Sequence, residues 1–242
     1  MTDTKKTVLI TGSTRGIGLA LVEHYTKAGW NVIATARATS NTDKVKALSP
    51  LKIVTLDTCD ESFVLEAASE LDEVPIDLLI NNAGIAQPTI FATATKDSFM
   101  QQFEVNVTGP FLVTRALLPN LELAVKTRGD AVVLQVSSIV GSISHNNAEN
   151  EAQVRGHYGY VASKAALNMV TRSLVLDLRD RNIIVVAANP GFVDTEMNSH
   201  QGHVKPADSA ASMAKIVSNV SLKDSGKFFD ADPTTSTSEL PW

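Results

Sequence analysis

The chain has 242 residues, 44% of them apolar, and a formal net charge of −5. That is enough apolar material for a large core in one domain over residues 1–242, and the scattered basic residues form neither a nucleic-acid footprint nor a polybasic membrane anchor. The single cysteine, Cys59, cannot close an internal disulfide, no apolar run approaches a membrane span, and Met1-Thr-Asp-Thr-Lys-Lys is not followed by a signal-peptide core, so a cytoplasmic protein acting on a small molecule is expected.

Val8-Leu-Ile10 is a β-rich run that stops at Thr11-Gly12-Ser13-Thr14-Arg15-Gly16-Ile17-Gly18, after which apolar positions 17, 21, 25 and 28 take up helical spacing. This reads as strand, glycine turn, helix. Gly12 can adopt backbone angles closed to other residues, Gly16 lets the main chain approach a pyrophosphate, and Gly18 permits tight helix-on-strand packing. The free N–H groups and positive dipole end of the new helix would then receive phosphates. No Gly-Lys-Ser/Thr follows, so the turn is not a Walker loop.

The second strand, Asn31–Ala36, ends at Arg37, where dinucleotide-binding units place an acidic residue on the adenosine ribose. No acidic residue lies between Trp30 and Thr42. Arg37, helped by Arg15 in the glycine turn, could instead pair with a 2'-phosphate, which favours NADP over NAD; the competing reading is two solvated surface charges. Lys52–Leu56 reads as strand three and ends at Asp57, either an acceptor for the adenine amino group or a strand-end cap. A helix is expected over Asp60–Leu71, broken by Pro75, and a fourth strand over Asp77–Ile80. Asn81-Asn82-Ala83-Gly84 then suits a tight junction where a cofactor ribose passes close to backbone, although Asn82 could equally tie adjacent strands together.

Lys96–Leu123 is helical in character with interruptions at Gly109-Pro110 and Pro119. Asn106 within it is a polar amide in apolar surroundings, either bonded locally or functional. Ala131–Val136 reads as strand five and delivers Ser137-Ser138 to the carboxyl end of a parallel strand, where ligands bind in open α/β sheets. Residues 139–159 read as a polar loop, with His145 and His157 either lining a pocket or solvated. The helix over Val161–Leu178 carries Tyr160 and Lys164 on one face, one turn apart, and an ammonium there lowers a neighbouring phenol's pKa.

Ile183–Ala188 is strand six, closed by Asn189-Pro190-Gly191-Phe192-Val193-Asp194-Thr195, a turn that brings the Val193 backbone and the Thr195 hydroxyl toward a ligand above the sheet. A helix over Pro206–Val220, a short strand at Lys227–Phe229 and a loose stretch from Thr234 to Ser238 complete the chain. His200 and His203 have metal-like spacing but lie in a polar loop without a cysteine or carboxylate cluster, so no metal site is expected.

Taken in order, Thr11-Gly-Ser-Thr-Arg-Gly-Ile-Gly18, Asn81-Asn-Ala-Gly84, Asn106, Ser138, Tyr160-x-x-x-Lys164 and Pro190-Gly191 with Thr195 resemble the motif set of the short-chain dehydrogenase/reductase family over nearly the whole chain. The alternation of strands and helices independently indicates an α/β fold, a doubly wound parallel sheet of Rossmann type with helices on both faces. The resemblance implies that Tyr160 is the general acid, that Lys164 binds the nicotinamide ribose and depresses the tyrosine pKa, and that Ser138 holds the substrate oxygen. It further implies that Asn106 holds a relay water and that Val193 and Thr195 orient the nicotinamide carboxamide of NADPH. The long interval between Ser138 and Tyr160 and the final Glu-Leu-Pro-Trp242 resemble the C-factor and sniffer-like carbonyl reductases. A reductase of ketones, aldehydes or quinones is therefore expected, as a possible homodimer or homotetramer. The competing reading is a catalytically silent NADPH-sensing regulator, which would need only the N-terminal half and not the Ser138, Tyr160 and Lys164 set.

Overall fold

The computed structural model describes residues 5–236 and 238–242; Met1–Thr4, part of the N-terminal stretch weighed above, and Thr237, within the stretch expected to be loose, lie outside the described residues. Seven strands form one sheet in the order β3-β2-β1-β4-β5-β6-β7. They are β1 (Thr7–Ile10), β2 (Asn31–Ala36), β3 (Lys52–Thr55), β4 (Leu78–Asn81), β5 (Ala131–Val136), β6 (Ile183–Asn189) and β7 (Phe228–Asp230), and every pairing is parallel. The order turns around between β1 and β4, which places the sheet's carboxyl-edge crevice beside the loops that leave those two strands.

Alternation along each strand divides the core into two layers. Val8, Ile10, Val32, Ile80, Leu134 and Val186 face α1 (Gly16–Lys27) and α9 (Pro206–Asn219), meeting Leu21, Val22 and Met213. Leu9, Ile33, Leu79, Val133 and Val185 face the other way, onto α3 (Glu61–Glu70), α5 (Gly109–Ala116), α6 (Leu118–Arg128) and α8 (Tyr158–Leu178). Strand β5 is buried at all six positions, as a central parallel strand covered on both faces must be.

The helical stretch from Lys96 is not simply interrupted at Gly109-Pro110. After α4 (Lys96–Phe103) the chain widens into a π-turn, Glu104–Thr108, and continues as α5, with the Gly109 N–H reaching the Glu104 carbonyl. The turn absorbs Pro110, which has no N–H to give, and Asn106 sits inside it. Gly109 is required by close approach: a Cβ there would come within 2.9 Å of the Thr58 Cβ.

Several expected boundaries change, and α8 begins at Tyr158 rather than Val161. A five-residue helix, α2 (Asp43–Ala47), follows β2, and residues 139–159 contain two 3-10 turns, Ile139–Gly141 and Ala148–Asn150, and α7 (Glu151–Val154). Asn147 builds that second turn by accepting from Glu149 and Asn150 N–H, a local cap with no hydrophobic period to betray it. The tail is also tied down rather than loose. The Thr235 hydroxyl donates to Asp230, the Thr234 hydroxyl donates to Asp232, the Asp230 N–H meets the Ser238 carbonyl, and Trp242 stacks on Phe228 at 5.3 Å. Among the described residues no helix is long and apolar enough to cross a membrane.

Candidate active site

The carboxyl edge of the sheet opens into one cleft of about 1560 Å³, and every residue expected at the cofactor and reaction centre lines it except Asn106. The glycine turn forms its floor. Gly12 has φ of +68° and Gly16 of +52°, the left-handed region where glycine is favoured, and a Cβ on Gly18 would stand 2.1 Å from the Gly12 carbonyl oxygen. The N-terminus of α1 that emerges from this turn has no side-chain cap and no acidic residue in its first turn, so its N–H groups and dipole remain directed at the cleft.

Asn82, Ala83 and Gly84 run beside that turn. The Thr11 hydroxyl accepts from the Asn82 and Ala83 N–H groups, both at 2.9 Å, while the Asn82 side-chain amide donates to the Thr11 carbonyl at 2.9 Å and to the Gly12 carbonyl at 3.2 Å. Of the two sequence readings for Asn82, the structure shows the tie between β1 and β4. Arg37 is exposed at the end of β2. Arg15 extends instead to Glu196, with Nη1 at 3.1 Å from Oε2, and so bridges the glycine turn to the segment after Gly191. Asp57 accepts the Cys59 N–H at 3.1 Å, the local cap weighed against adenine recognition.

The reaction end of the cleft is built by β5, α8 and the turn after β6. The Ser137 hydroxyl is buried and donates to Asn168 at 2.6 Å, whereas Ser138 is half-buried beside Tyr160, so the two neighbouring serines have separate tasks. Lys164 is buried; its Nζ donates to the Val136 carbonyl at 2.8 Å and lies 5.7 Å from the centre of the Tyr160 ring. Close packing fixes that helix against the turn after β5, since a Cβ on Gly141 would meet Lys164 atoms at 2.8 Å.

One electrostatic expectation is reversed. Burial raises the Tyr160 pKa, with the Ser138 hydrogen bond pulling the other way, and burial lowers that of Lys164 to about 8. Desolvation is the largest effect on both groups, and the ammonium donates to a backbone carbonyl.

Asn106 stands behind the cleft, fully buried. Its Oδ1 accepts the Ile85 N–H at 2.9 Å, and its Nδ2 donates to the Ile85 carbonyl at 2.9 Å and to the Ser163 hydroxyl at 3.0 Å. The amide is satisfied locally, and what it ties together is the segment following Gly84 and α8. Pro190, Gly191, Val193 and Thr195 form the opposite wall; Gly191 has φ of +85°, and the Thr195 methyl lies where a Cβ on Gly16 would approach within 3.3 Å. His145 and His157 line the cleft, the former in contact with Gln153 at 3.0 Å. His200 and His203 are directed at separate carboxylates, Asp194 at 2.7 Å and Asp232 at 3.9 Å.

Several lining residues carry no motif, among them Lys44, Cys59, Gln153, Phe192, Met197, Asn189 and Asp230. Strand ends supply Asn189 and Asp230, the short helices α2 and α7 supply Lys44 and Gln153, and the segments after β3 and β6 supply the rest, so only the register of the strand ends and the short local elements could have found them. The chain is similar to known proteins over most of its length. Residues 6–205 match the family described as short chain dehydrogenase. The C-signal protein of Myxococcus xanthus is 34% identical over 169 residues, 69% of this chain and 93% of that protein. The NADPH-bound carbonyl reductase from chicken fatty liver superposes with a TM-score of 0.88 at 31% identity, covering 98% of this chain and 94% of that one. The carbonyl reductase Sniffer of D. melanogaster does so with a TM-score of 0.87 at 26% identity, covering 98% and 100%. A glycine turn on an uncapped helix, a serine and a tyrosine in contact above the sheet and a lysine buried one turn on thus accompany agreement in sequence over most of the chain, which belongs to the short-chain dehydrogenase family.

Proposed function

We propose that the chain is an NADPH-dependent reductase of a ketone, aldehyde or quinone, with alcohol oxidation as the reverse reaction in the same site. The observation that carries the reading is the gathering of Ser138, Tyr160 and Lys164 at one end of a cleft whose other end holds the glycine turn and Arg37. The residues fit the cofactor: glycine backbone at an uncapped helix N-terminus suits a pyrophosphate, and a cationic rather than acidic end of β2 suits a 2'-phosphate. Two of the structural relatives, chicken carbonyl reductase and a short-chain dehydrogenase from Burkholderia multivorans, carry NADPH or NADP.

When bound, NADPH supplies a hydride to the carbonyl carbon. Tyr160 gives its phenolic proton to the carbonyl oxygen as negative charge develops there, and the Ser138 hydroxyl donates to that same oxygen. Lys164 holds the nicotinamide ribose and keeps positive charge beside the phenolate that remains. Gly12, Thr14, Gly16, Ile17 and Gly18 cradle the phosphates, Arg37 pairs with the 2'-phosphate, and Asp57 accepts from the adenine amino group. Asn82, Ala83 and Gly84 flank the ribose. Pro190, Gly191, Val193 and Thr195 orient the nicotinamide amide, and Asn106 holds the segment after Gly84 against α8 beside the relay it serves.

The test is NADPH consumption by purified protein against a panel of menadione, 4-nitrobenzaldehyde and phenylglyoxal. Turnover with a member of the panel is expected, faster with NADPH than with NADH. Tight NADPH binding with no turnover across the panel would instead indicate a cofactor-sensing protein.

A further inference from the structure

The turn that carries Ser138 is held by a side-chain chain of contacts that no motif includes. Ser138 itself is extended, with φ of −159° and ψ of 147°, and the peptide linking it to Ile139 is pinned at both polar ends. Its carbonyl accepts the Gly141 N–H at 2.9 Å within the 3-10 turn. Its N–H, belonging to Ile139, donates to Asn189 Oδ1 at 3.0 Å, and Asn189 is 4% exposed at the end of β6. Asn189 Nδ2 in turn donates to Asp230 Oδ1 at 2.8 Å, and Asp230 ends β7. The amide orientation is unambiguous, because a backbone donor faces one end and a carboxylate the other.

Asp230 is itself fixed. The same Oδ1 takes the Asp232 N–H at 3.1 Å, Oδ2 takes the Thr235 hydroxyl at 3.0 Å, and the Asp230 N–H reaches the Ser238 carbonyl at 3.2 Å. Ile139 also packs against the cluster of Ala187, Phe228 and Leu240, so the peptide is held by hydrogen bonds on one side and by the tail's apolar contact on the other. A hydroxyl that must donate to a developing oxyanion within a few tenths of an ångström gains from such support, because its backbone cannot rock.

We infer that Asn189 and Asp230 are positioning residues that aim the Ser138 hydroxyl by clamping the Ser138–Ile139 peptide. The inference rests on the carbonyl-reductase reading above for its kinetic consequence, and on geometry alone for the clamp. Asn189→Ala leaves the Ile139 N–H without its acceptor. Asp230→Ala leaves the acceptor in place but free to turn. Asp230→Asn keeps it, since the new amide oxygen can take both Asn189 and Asp232 while its NH₂ donates to the Thr235 oxygen.

The experiment pairs amide hydrogen exchange over residues 137–142 with steady-state kinetics on the panel member turned over and with NADPH affinity from fluorescence titration. Asn189→Ala should speed exchange at Ile139 by about tenfold or more and lower kcat by about tenfold, with carbonyl KM and NADPH affinity within about twofold of wild type. Asp230→Ala should move both readouts the same way by less, and Asp230→Asn should restore them. Should Asn189→Ala fail to fold, the two Asp230 variants decide alone. Faster exchange with unchanged kcat would overturn the positioning role while leaving the carbonyl-reductase reading intact. A loss appearing in NADPH affinity or KM would overturn it as well, since it would make these residues ligand contacts. Wild-type silence on the panel would overturn the reductase reading, and unchanged exchange at Ile139 would overturn the clamp whatever the kinetics.

Discussion

Lys164 carries a buried charge. Its folded-state pKa, about 8, lies below the ordinary 10.5, so its ammonium opposes folding at neutral pH; the penalty shrinks as pH rises from about 8 to 10.5 and is absent above. Lys164→Met should therefore be more stable than wild type near pH 7, by on the order of 1 kcal/mol once the lost bond to Val136 is offset, and the gap should close near pH 10. Urea denaturation at the two pH values checks this, and activity should vanish in the same variant. The sign for catalysis is opposite. A phenol with a raised pKa stays protonated through neutrality, as a proton donor needs, so reductive kcat/KM should hold at neutral pH and fall as pH rises through about 8, where Lys164 loses its proton. A pH–rate profile rising steadily with pH in the reductive direction would contradict the assignment. Tyr160, Lys164 and Ser138 were legible as a set because their spacing recurs in a family; the pKa directions were not, because burial is a property of the packed wall and not of the pair.

Among the elements, the β1-turn-α1 unit leaves no space for a methyl group. A Cβ on Gly18 would lie 2.1 Å from the Gly12 oxygen and 2.7 Å from Asn82 Nδ2. Gly18→Ala should thus push α1 off the turn, costing about 1–3 kcal/mol in urea denaturation and weakening NADPH binding together with it. Loss of stability without loss of cofactor affinity would mean that the turn does not bear on the phosphates. Six of the seven strands were readable within a residue or two from β-branched runs such as Ile183-Ile-Val-Val, and β7 from Phe228-Phe. What escaped was local chemistry with no period: the π-turn around Asn106, the Asn147 cap within 139–159, and the threonine contacts that fasten Thr235 to Asp230 of β7 and Thr234 to Asp232 just beyond it. Each depends on a side chain meeting a particular backbone or carboxylate group, which the apolar pattern does not encode.

Across the whole molecule, the sheet order brings together motifs far apart in sequence, and the cofactor preference is decided where they meet. Arg37 is exposed at the end of β2, while Arg15 spends its charge on Glu196. Arg37→Ala should accordingly weaken NADPH binding at least tenfold more than NADH binding, by fluorescence titration at fixed salt, and equal losses would remove the 2'-phosphate contact. The most direct measurement is NADPH oxidation by Tyr160→Phe with the carbonyl that the wild-type protein turns over, alongside its NADPH affinity. Retained affinity with kcat lowered by about a hundredfold or more is the result expected of a lost proton donor, and turnover equal to wild type would contradict the role of Tyr160 and the mechanism built on it.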